Sequence, residues 1–236
     1  MFDARTGGTG NRVGLWLLFA LLLAVATGCT ATSDYMRPTL APLDAPPPPG
    51  TAAVVFVRPS GWASSVVMTI LDDQGRFIGD STADSCFVTP VPAGKHLFIG
   101  WAENTAALQA DLEPGRVYFV EVSSRLGWWS ARVQLLAVTP HSAQWGKLKD
   151  WVSDCDKFRP DEAGGQAYLS SRRDATAEHV RRGKEKLGDY DSEELAERTL
   201  HPADGVSPTL YAPPVTAPPP ATLAPPLPPP PPAPLH

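Results

Sequence analysis

The chain has three cysteines, Cys29, Cys86 and Cys155. In an oxidising compartment a surviving pair of thiols is a disulfide candidate. Cys86 and Cys155 would close a loop of about 70 residues, and such a bond typically contributes about 2–4 kcal/mol. The alternative is two buried thiols acting as small apolar side chains. Pairing requires Cα atoms within about 7 Å, which only the fold decides. The five histidines are His96, His141, His179, His201 and His236. None has the HxxxH or HxxE spacing of a zinc site. Asp72, Asp73 and Asp80 in "DDQGRFIGD" lack the D-x-D-x-D-G register and the terminal bidentate Glu of a calcium loop, so the stretch is read as a hairpin turn. No Gly-x-Ser-x-Gly elbow supports a serine nucleophile. No metal, cofactor or catalytic constellation is expected.

Cys29 poses a different question. It lies just after an apolar run of fourteen residues, Val13 to Ala26, with Arg5 and Arg12 ahead of it. A permanent span needs about 20 residues, so the run is short for a membrane helix. A basic start, a short apolar stretch and small residues read as a secretory signal. Ala26-Thr27-Gly28-Cys29 resembles the bacterial lipobox, in which cleavage falls before a cysteine that carries a diacylglycerol. Ala26 stands where Leu is usual. The resemblance implies cleavage between Gly28 and Cys29 and lipidation of Cys29; the alternative is an ordinary cleaved signal with a chance cysteine. Each buried CH2 of the acyl chains contributes about 0.8 kcal/mol to anchoring. Thr30, rather than Asp, comes after the cysteine, which by the same resemblance implies outer-membrane delivery, the domain facing the periplasm.

Composition divides the chain. Of 27 prolines, 14 lie between Gly205 and His236 and 6 between Thr30 and Gly50. Proline fixes φ and removes a donor, so neither segment builds a core. The expected divisions are a signal over residues 1–28, a Pro-rich tether over 29–50, a β-sandwich domain over 51–140, a helical extension over 141–200 and a Pro-rich disordered tail over 201–236. The tether would hold the domain about 60 Å from the lipid at about 3.1 Å per residue, unless Tyr35 and Met36 pack it onto the domain. Net charge is −5 and the basic residues are scattered, which argues against a nucleic-acid binder.

Between Ala52 and Pro140 the pattern predicts eight short strands with turns at "DDQG", "PAGK" and "EPGR". That spacing reads as an antiparallel β-sandwich, mainly β. After Pro140 the period lengthens. Trp145, Leu148, Val152 and Cys155 share a helical face, with Ser142 as candidate N-cap. A second helix is expected after Asp174, with Ala177, Val180 and Leu187 inward. A third starts at Asp191, where Asp191 and Glu194 fit a capping box, and runs to about Thr199.

"AAVVFVRPS", the hairpin after it, "VPAGKH" and "LEPGRVYFVEV" together resemble an uncharacterised family of small bacterial envelope lipoprotein domains of unknown function. The resemblance covers about residues 52–140 and implies a β-sandwich of the transthyretin or carboxypeptidase-regulatory kind. It implies no activity and no site.

Trp128 and Trp129 cannot both face inward from one strand, since neighbours alternate faces. One is either exposed, at an interface or membrane surface, or covered by Trp145 and Trp151. The tail repeats Thr-Leu-Ala-Pro-like units and could reach about 100 Å as a spacer or docking arm. The expected function is a non-enzymatic binding or scaffolding module, lipid-anchored in the envelope, whose partner is another envelope protein. The alternatives are a periplasmic ligand-binding protein or hydrolase with a loop-built site, and a purely structural role in the envelope.

Overall fold

The computed structural model describes residues 31–43, 45–61, 63–126 and 131–208, with backbone alone for 125, 126 and 131. Among these lie eleven strands and four α-helices. The strands are β1 (Met36–Pro38), β2 (Thr51–Arg58), β3 (Met68–Asp72), β4 (Phe77–Ser81), β5 (Ser85–Pro92), β6 (Gly94–Trp101), β7 (Thr105–Leu112), β8 (Val117–Leu126), β9 (Ala131–Val138), β10 (Asp156–Pro160) and β11 (Thr199–Leu200). The helices are α1 (Trp145–Asp154), α2 (Glu162–Ser171), α3 (Arg173–Asp189) and α4 (Ser192–Ala196). One sheet has the order β1-β10-β5-β2-β8-β9 and the other β11-β7-β6-β3-β4.

The fold is mainly β, and both sheets are mixed rather than antiparallel throughout. β2 and β8 run parallel at the centre of the first sheet, and β10 pairs parallel with β5 and β11 with β7. The cause is connectivity. The neighbours β3–β4, β6–β7 and β8–β9 form hairpins, whereas β2 reaches β8 only after the chain has twice crossed to the other sheet and back. Parallel pairs need such crossovers.

β2 explains how the layers stack. Its run "AAVVFV" is buried on both faces, as central strands under double cover are. Ala52, Val54 and Phe56 face the inter-sheet core, where Phe56 stacks on Phe87 at 5.0 Å and meets Phe98 edge-on at 5.4 Å. Ala53, Val55 and Val57 face the other way, with Leu148 of α1, Trp145 and Trp151. On the far side, α2 packs on β4 and α3 on β6 and β7. α3 approaches closely because it presents Gly183 to Ile99, where a Cβ would stand 2.7 Å from the Ile99 side chain.

The predicted turns are where the chain reverses. In the β3–β4 turn Asp72 Oδ1 accepts from the Gln74 and Arg76 amides at 2.9 and 2.8 Å, and Gly75 has φ +75. That turn geometry suits a residue without Cβ. The part after Pro140 departs more from expectation. It carries two strands as well as helices. Helix α2 was not expected, because two glycines in "EAGGQAYLSS" weaken a helical reading. Gly165 is needed there, since a Cβ would run into the Phe77 ring. Ser142 does not cap α1: Gln144 is the N-cap without a side-chain bond, and Ser142 bonds Thr139 instead. In α3 the buried positions are Thr176 and Gly183, with Val180 against the core and Ala177 exposed. Helix α4 has the Asp191–Glu194 capping box and ends at Ala196.

Candidate functional site

Residues 31–43 form a strap laid over the sandwich. Ala31 donates its amide to the Ser64 carbonyl at 2.8 Å. Ser33 Oγ donates to Asp80 Oδ2 at 2.5 Å and accepts the Tyr35 amide at 3.0 Å. The Tyr35 ring lies 5.0 Å from Tyr168 and 6.3 Å from Phe77. Met36 is buried and β1 pairs antiparallel with β10; Arg37 bonds Asp161 at 3.0 Å. Leu43 is buried on the outer face of β2. Over these residues the packed alternative holds, not the free tether. The reason is that Tyr35, Met36 and Leu43 remove apolar surface from water, each worth about 1.5–3 kcal/mol when fully buried.

Beneath the strap is a cleft of about 550 Å³ at one pole of the sandwich. Asp80 and Thr69 supply its floor, Tyr35, Trp101 and Tyr168 its aromatic walls, and Asp34, Glu103 and Arg172 its charged mouth. Asp80 is 5% exposed. Burial raises its pKa; the Ser33 and Thr69 hydroxyls oppose that. Oδ1 of Asp80 is buried and has no donor in hydrogen-bond geometry. His179 stacks on the back of Trp101 at 4.4 Å, and its Nδ1 lies 2.8 Å from Thr105 Oγ1. Burial lowers the His179 pKa, helped by Arg182 and opposed by Glu178. The Arg172 guanidinium sits over the Tyr168 ring, 5.0 Å from its centroid.

Arg58 holds the rim of this cleft. It is fully buried at the end of β2, and its Nη1 donates to the Val66 carbonyl at 2.7 Å and Ser81 at 3.2 Å, its Nη2 to Ala63 at 2.9 Å. Burial lowers its pKa and Asp84 opposes this. A planar fork of donors can serve three carbonyls at once. These bonds set the loop that carries Ser64, Val66 and Val67.

Cys86 and Cys155 are joined in a disulfide with Cα atoms 5.8 Å apart. Cys155 is the C-cap of α1, so the bond ties that helix end to β5. Gly28 and Cys29, Trp128 and Trp129, and the tail beyond Pro208 lie outside the described residues. Trp145 and Trp151 pack partly buried over the outer face of β2. His96 Nε2 lies 2.7 Å from the Pro92 carbonyl, at the opposite end of β6 from Trp101, on which His179 stacks. Asp72 closes its turn, while Asp80 stands at the other end of β4 and faces the strap. At the pole opposite the cleft, Val206 and Val117 exchange backbone bonds at 3.0 and 2.9 Å, which fixes where the chain leaves the domain.

Sequence spacing does not assemble this cleft. Its walls come from the strap, the β2–β3 loop, β6 and α2, which no motif links. One signal was present: Asp80 is the one charge in the strand "FIGDS", buried but for Ile78. Comparison with protein-family models, curated proteins and solved structures returns no match.

Proposed function

We propose that this chain is a bacterial envelope protein anchored by lipid on Cys29, acting as a non-enzymatic binding or scaffolding module at the outer membrane, facing the periplasm. The observation that carries the reading is the placement of the two chain exits. Ala31 docks on Ser64, beyond the end of β2, whereas Val206 docks on Val117, the first residue of β8. β2 and β8 run parallel, so these points lie at opposite poles. An eight-residue strand is about 26 Å long. Only Thr30 stands between Ala31 and Cys29, and two residues span at most about 7 Å. The anchored pole would therefore rest on the membrane, and the Pro-rich arm would project away from it. At about 3.1 Å per residue the arm reaches several tens of ångströms further.

Two further features support the reading. Leu126 and Ala131, paired at the ends of β8 and β9, belong to the anchored pole, and the sequence between them carries Trp128 and Trp129. Tryptophan favours the membrane–water interface. The eight strands β2–β9, four in each sheet, support kinship with the transthyretin-type lipoprotein domains that the sequence resembles.

The test is in-cell crosslinking and affinity purification of the full chain beside a version ending at Pro208. An envelope protein captured only by the full chain makes the arm a docking arm. The same protein captured by both makes the folded domain the binder and the arm a spacer. No specific capture by either form overturns the binding reading. The anchor is tested separately: mass spectrometry of the mature N-terminal peptide should find acyl chains on Cys29, and an unmodified Cys29 overturns it.

A further inference from the structure

The β8–β9 ribbon outruns its sheet. β2 pairs with β8 as far as Val57–Glu121, so Arg58, the last residue of β2, lies level with Val122. The β8–β9 pairing continues for four rungs past that level, from Ser123–Gln134 to Leu126–Ala131. At about 3.4 Å per residue the two strands reach about 14 Å beyond the end of β2. They do so at the pole where Ala31 docks.

A lone two-stranded ribbon is marginally stable. This one is steadied by Asn104, whose side chain accepts from the Val133 amide at 2.8 Å and donates to the Val133 carbonyl at 2.9 Å. Two rungs stand beyond that clamp. The first sets Arg125 opposite Arg132. Like charges directly opposite each other destabilise a strand pair. Arg132 is exposed and makes no ion pair among the described residues. The second rung, Leu126–Ala131, closes on a connection that reads Leu-Gly-Trp-Trp-Ser-Ala from one strand end to the other. Tight connections in water favour Gly, Asn, Asp and Ser. Here the polarity is inverted. The stem carries Ser123, Ser124, Arg125, Arg132 and Gln134, and the connection carries two indoles.

A polar stem that ends in indoles matches the headgroup layer of a bilayer. Tryptophan is enriched at that depth. The guanidinium fork matches phosphate, so lipid phosphates would relieve the repulsion within the arginine rung. A partner protein could also take the indoles, but only the bilayer is held against this pole by the anchor on Cys29. The chain as a whole is acidic, with net charge −5, so the attraction is local to the ribbon.

We propose that the end of the β8–β9 ribbon is a membrane contact independent of the acyl chains, the Arg125–Arg132 rung meeting lipid phosphates and Trp128 and Trp129 entering the headgroup layer. The proposal deepens the lipid-anchored reading and rests on it for the choice of partner. An acyl anchor alone is a pivot about which the domain can swivel. A second foot on the same pole fixes the orientation and keeps the opposite pole, with Val206, turned away from the lipid.

The experiment uses the chain from residue 29 to 236 with Cys29→Ser, which carries no acyl group. Its binding to vesicles of phosphatidylglycerol and phosphatidylethanolamine is followed by flotation over a lipid titration. Saturable binding is expected. Trp128→Ala with Trp129→Ala should weaken it at least about tenfold, the loss of two large apolar side chains from the interface. Arg132→Gln should weaken it about fivefold, the effect of one cation at an anionic surface, and should flatten its dependence on salt. Thermal melts of the variants check folding. Arg132 is exposed, so Arg132→Gln keeps the test decisive if the double variant does not fold. No binding to the vesicles overturns the proposal. So does undiminished binding by a folded double variant or by Arg132→Gln. The anchor is judged apart, by the mass of the Cys29 peptide from cells. Vesicle binding beside an unmodified Cys29 keeps the ribbon contact and removes the anchor, whereas an acylated Cys29 without vesicle binding removes the ribbon contact alone.

Discussion

Ser33 and Asp80, 47 residues apart, meet at 2.5 Å and join the strap to the sheet through a carboxylate that burial makes hard to ionise. The direction of that shift sets a pH dependence. A carboxyl with a folded-state pKa raised above 3.8 binds its proton more tightly in the native chain than in the unfolded one. Its contribution is complete below the unfolded value and is lost as pH rises through the folded one. Asp80→Asn removes this term and keeps an acceptor for Ser33. The melting temperature of the variant relative to the native chain should therefore climb as pH rises from about 4 towards neutrality. A difference that is flat or falls over that interval would show that Ser33 and Thr69 outweigh burial.

The disulfide should act on one helix before it acts on the whole. Cys155 caps α1, and the next residue, Asp156, pairs with Ser85 beside Cys86. Breaking the bond frees the end of α1 while β10 keeps its backbone pairing. Cys86→Ser with Cys155→Ser should lower stability by about 2–4 kcal/mol, the usual range for a loop of this kind. Hydrogen exchange should report faster exchange over 145–155 than over the β2–β8 pair. Uniform loosening of both regions would mean that the bond holds the entire fold rather than the helix end.

Two glycines of α3 predict opposite outcomes for the same substitution. Alanine is favoured over glycine within a helix by about 1 kcal/mol. At Gly188 a Cβ meets nothing within 4 Å, so Gly188→Ala should stabilise by up to that amount. At Gly183 the Cβ would stand 2.7 Å from the buried Ile99 side chain. Overpacking costs about 1–3 kcal/mol and outweighs the propensity gain, so Gly183→Ala should destabilise. Chemical denaturation of both variants checks the pair, and a stabilising Gly183→Ala would show that α3 is free to move off the sheet.

The eight strands β2–β9 were legible because each is a β-branched or alternating run closed by a turn of its own, as "TAAVVFVR" and "RFIG" are. β10 was not legible. "DKFRP" has one large apolar residue, and it is a strand because β5, β1 and the neighbouring disulfide supply its partners. β11 is two residues long and exists only against β7. The parallel course of β2 and β8 follows from the order in which the chain visits two sheets, which a local pattern does not record. The strap was half legible: Tyr35 and Met36 were apolar residues in a proline-rich frame, but the Ser33–Asp80 bond depends on a strand end 47 residues away. The cleft was least legible, since its aromatic walls meet only after α2 has folded back on the strap.

Whether the strap stays docked decides how far the module stands from the membrane. Its hold on the sandwich is the Ala31–Ser64 bond, the Ser33–Asp80 bond, the Tyr35 ring contacts, buried Met36, the β1–β10 pairing, the Arg37–Asp161 ion pair and buried Leu43. Ser33→Ala with Tyr35→Ala and Met36→Ala removes three of these seven, including the Met36 side chain that seats β1, without touching β2–β9. Truncating buried Met alone costs about 2–5 kcal/mol, enough to undock a segment that carries no core of its own. The fifteen residues from Cys29 to Leu43 then become chain that extends about 3 Å each, about 45 Å in all. Neutron reflectometry on the lipidated protein in a supported bilayer should place the native domain directly on the headgroups. The triple variant should stand off by a layer of solvent of up to that thickness, with its cleft no longer closed by Tyr35. An unchanged height in a variant whose strap exchanges its amides freely would show that surfaces other than the strap hold the domain down, and would direct attention to the Trp-bearing connection between β8 and β9.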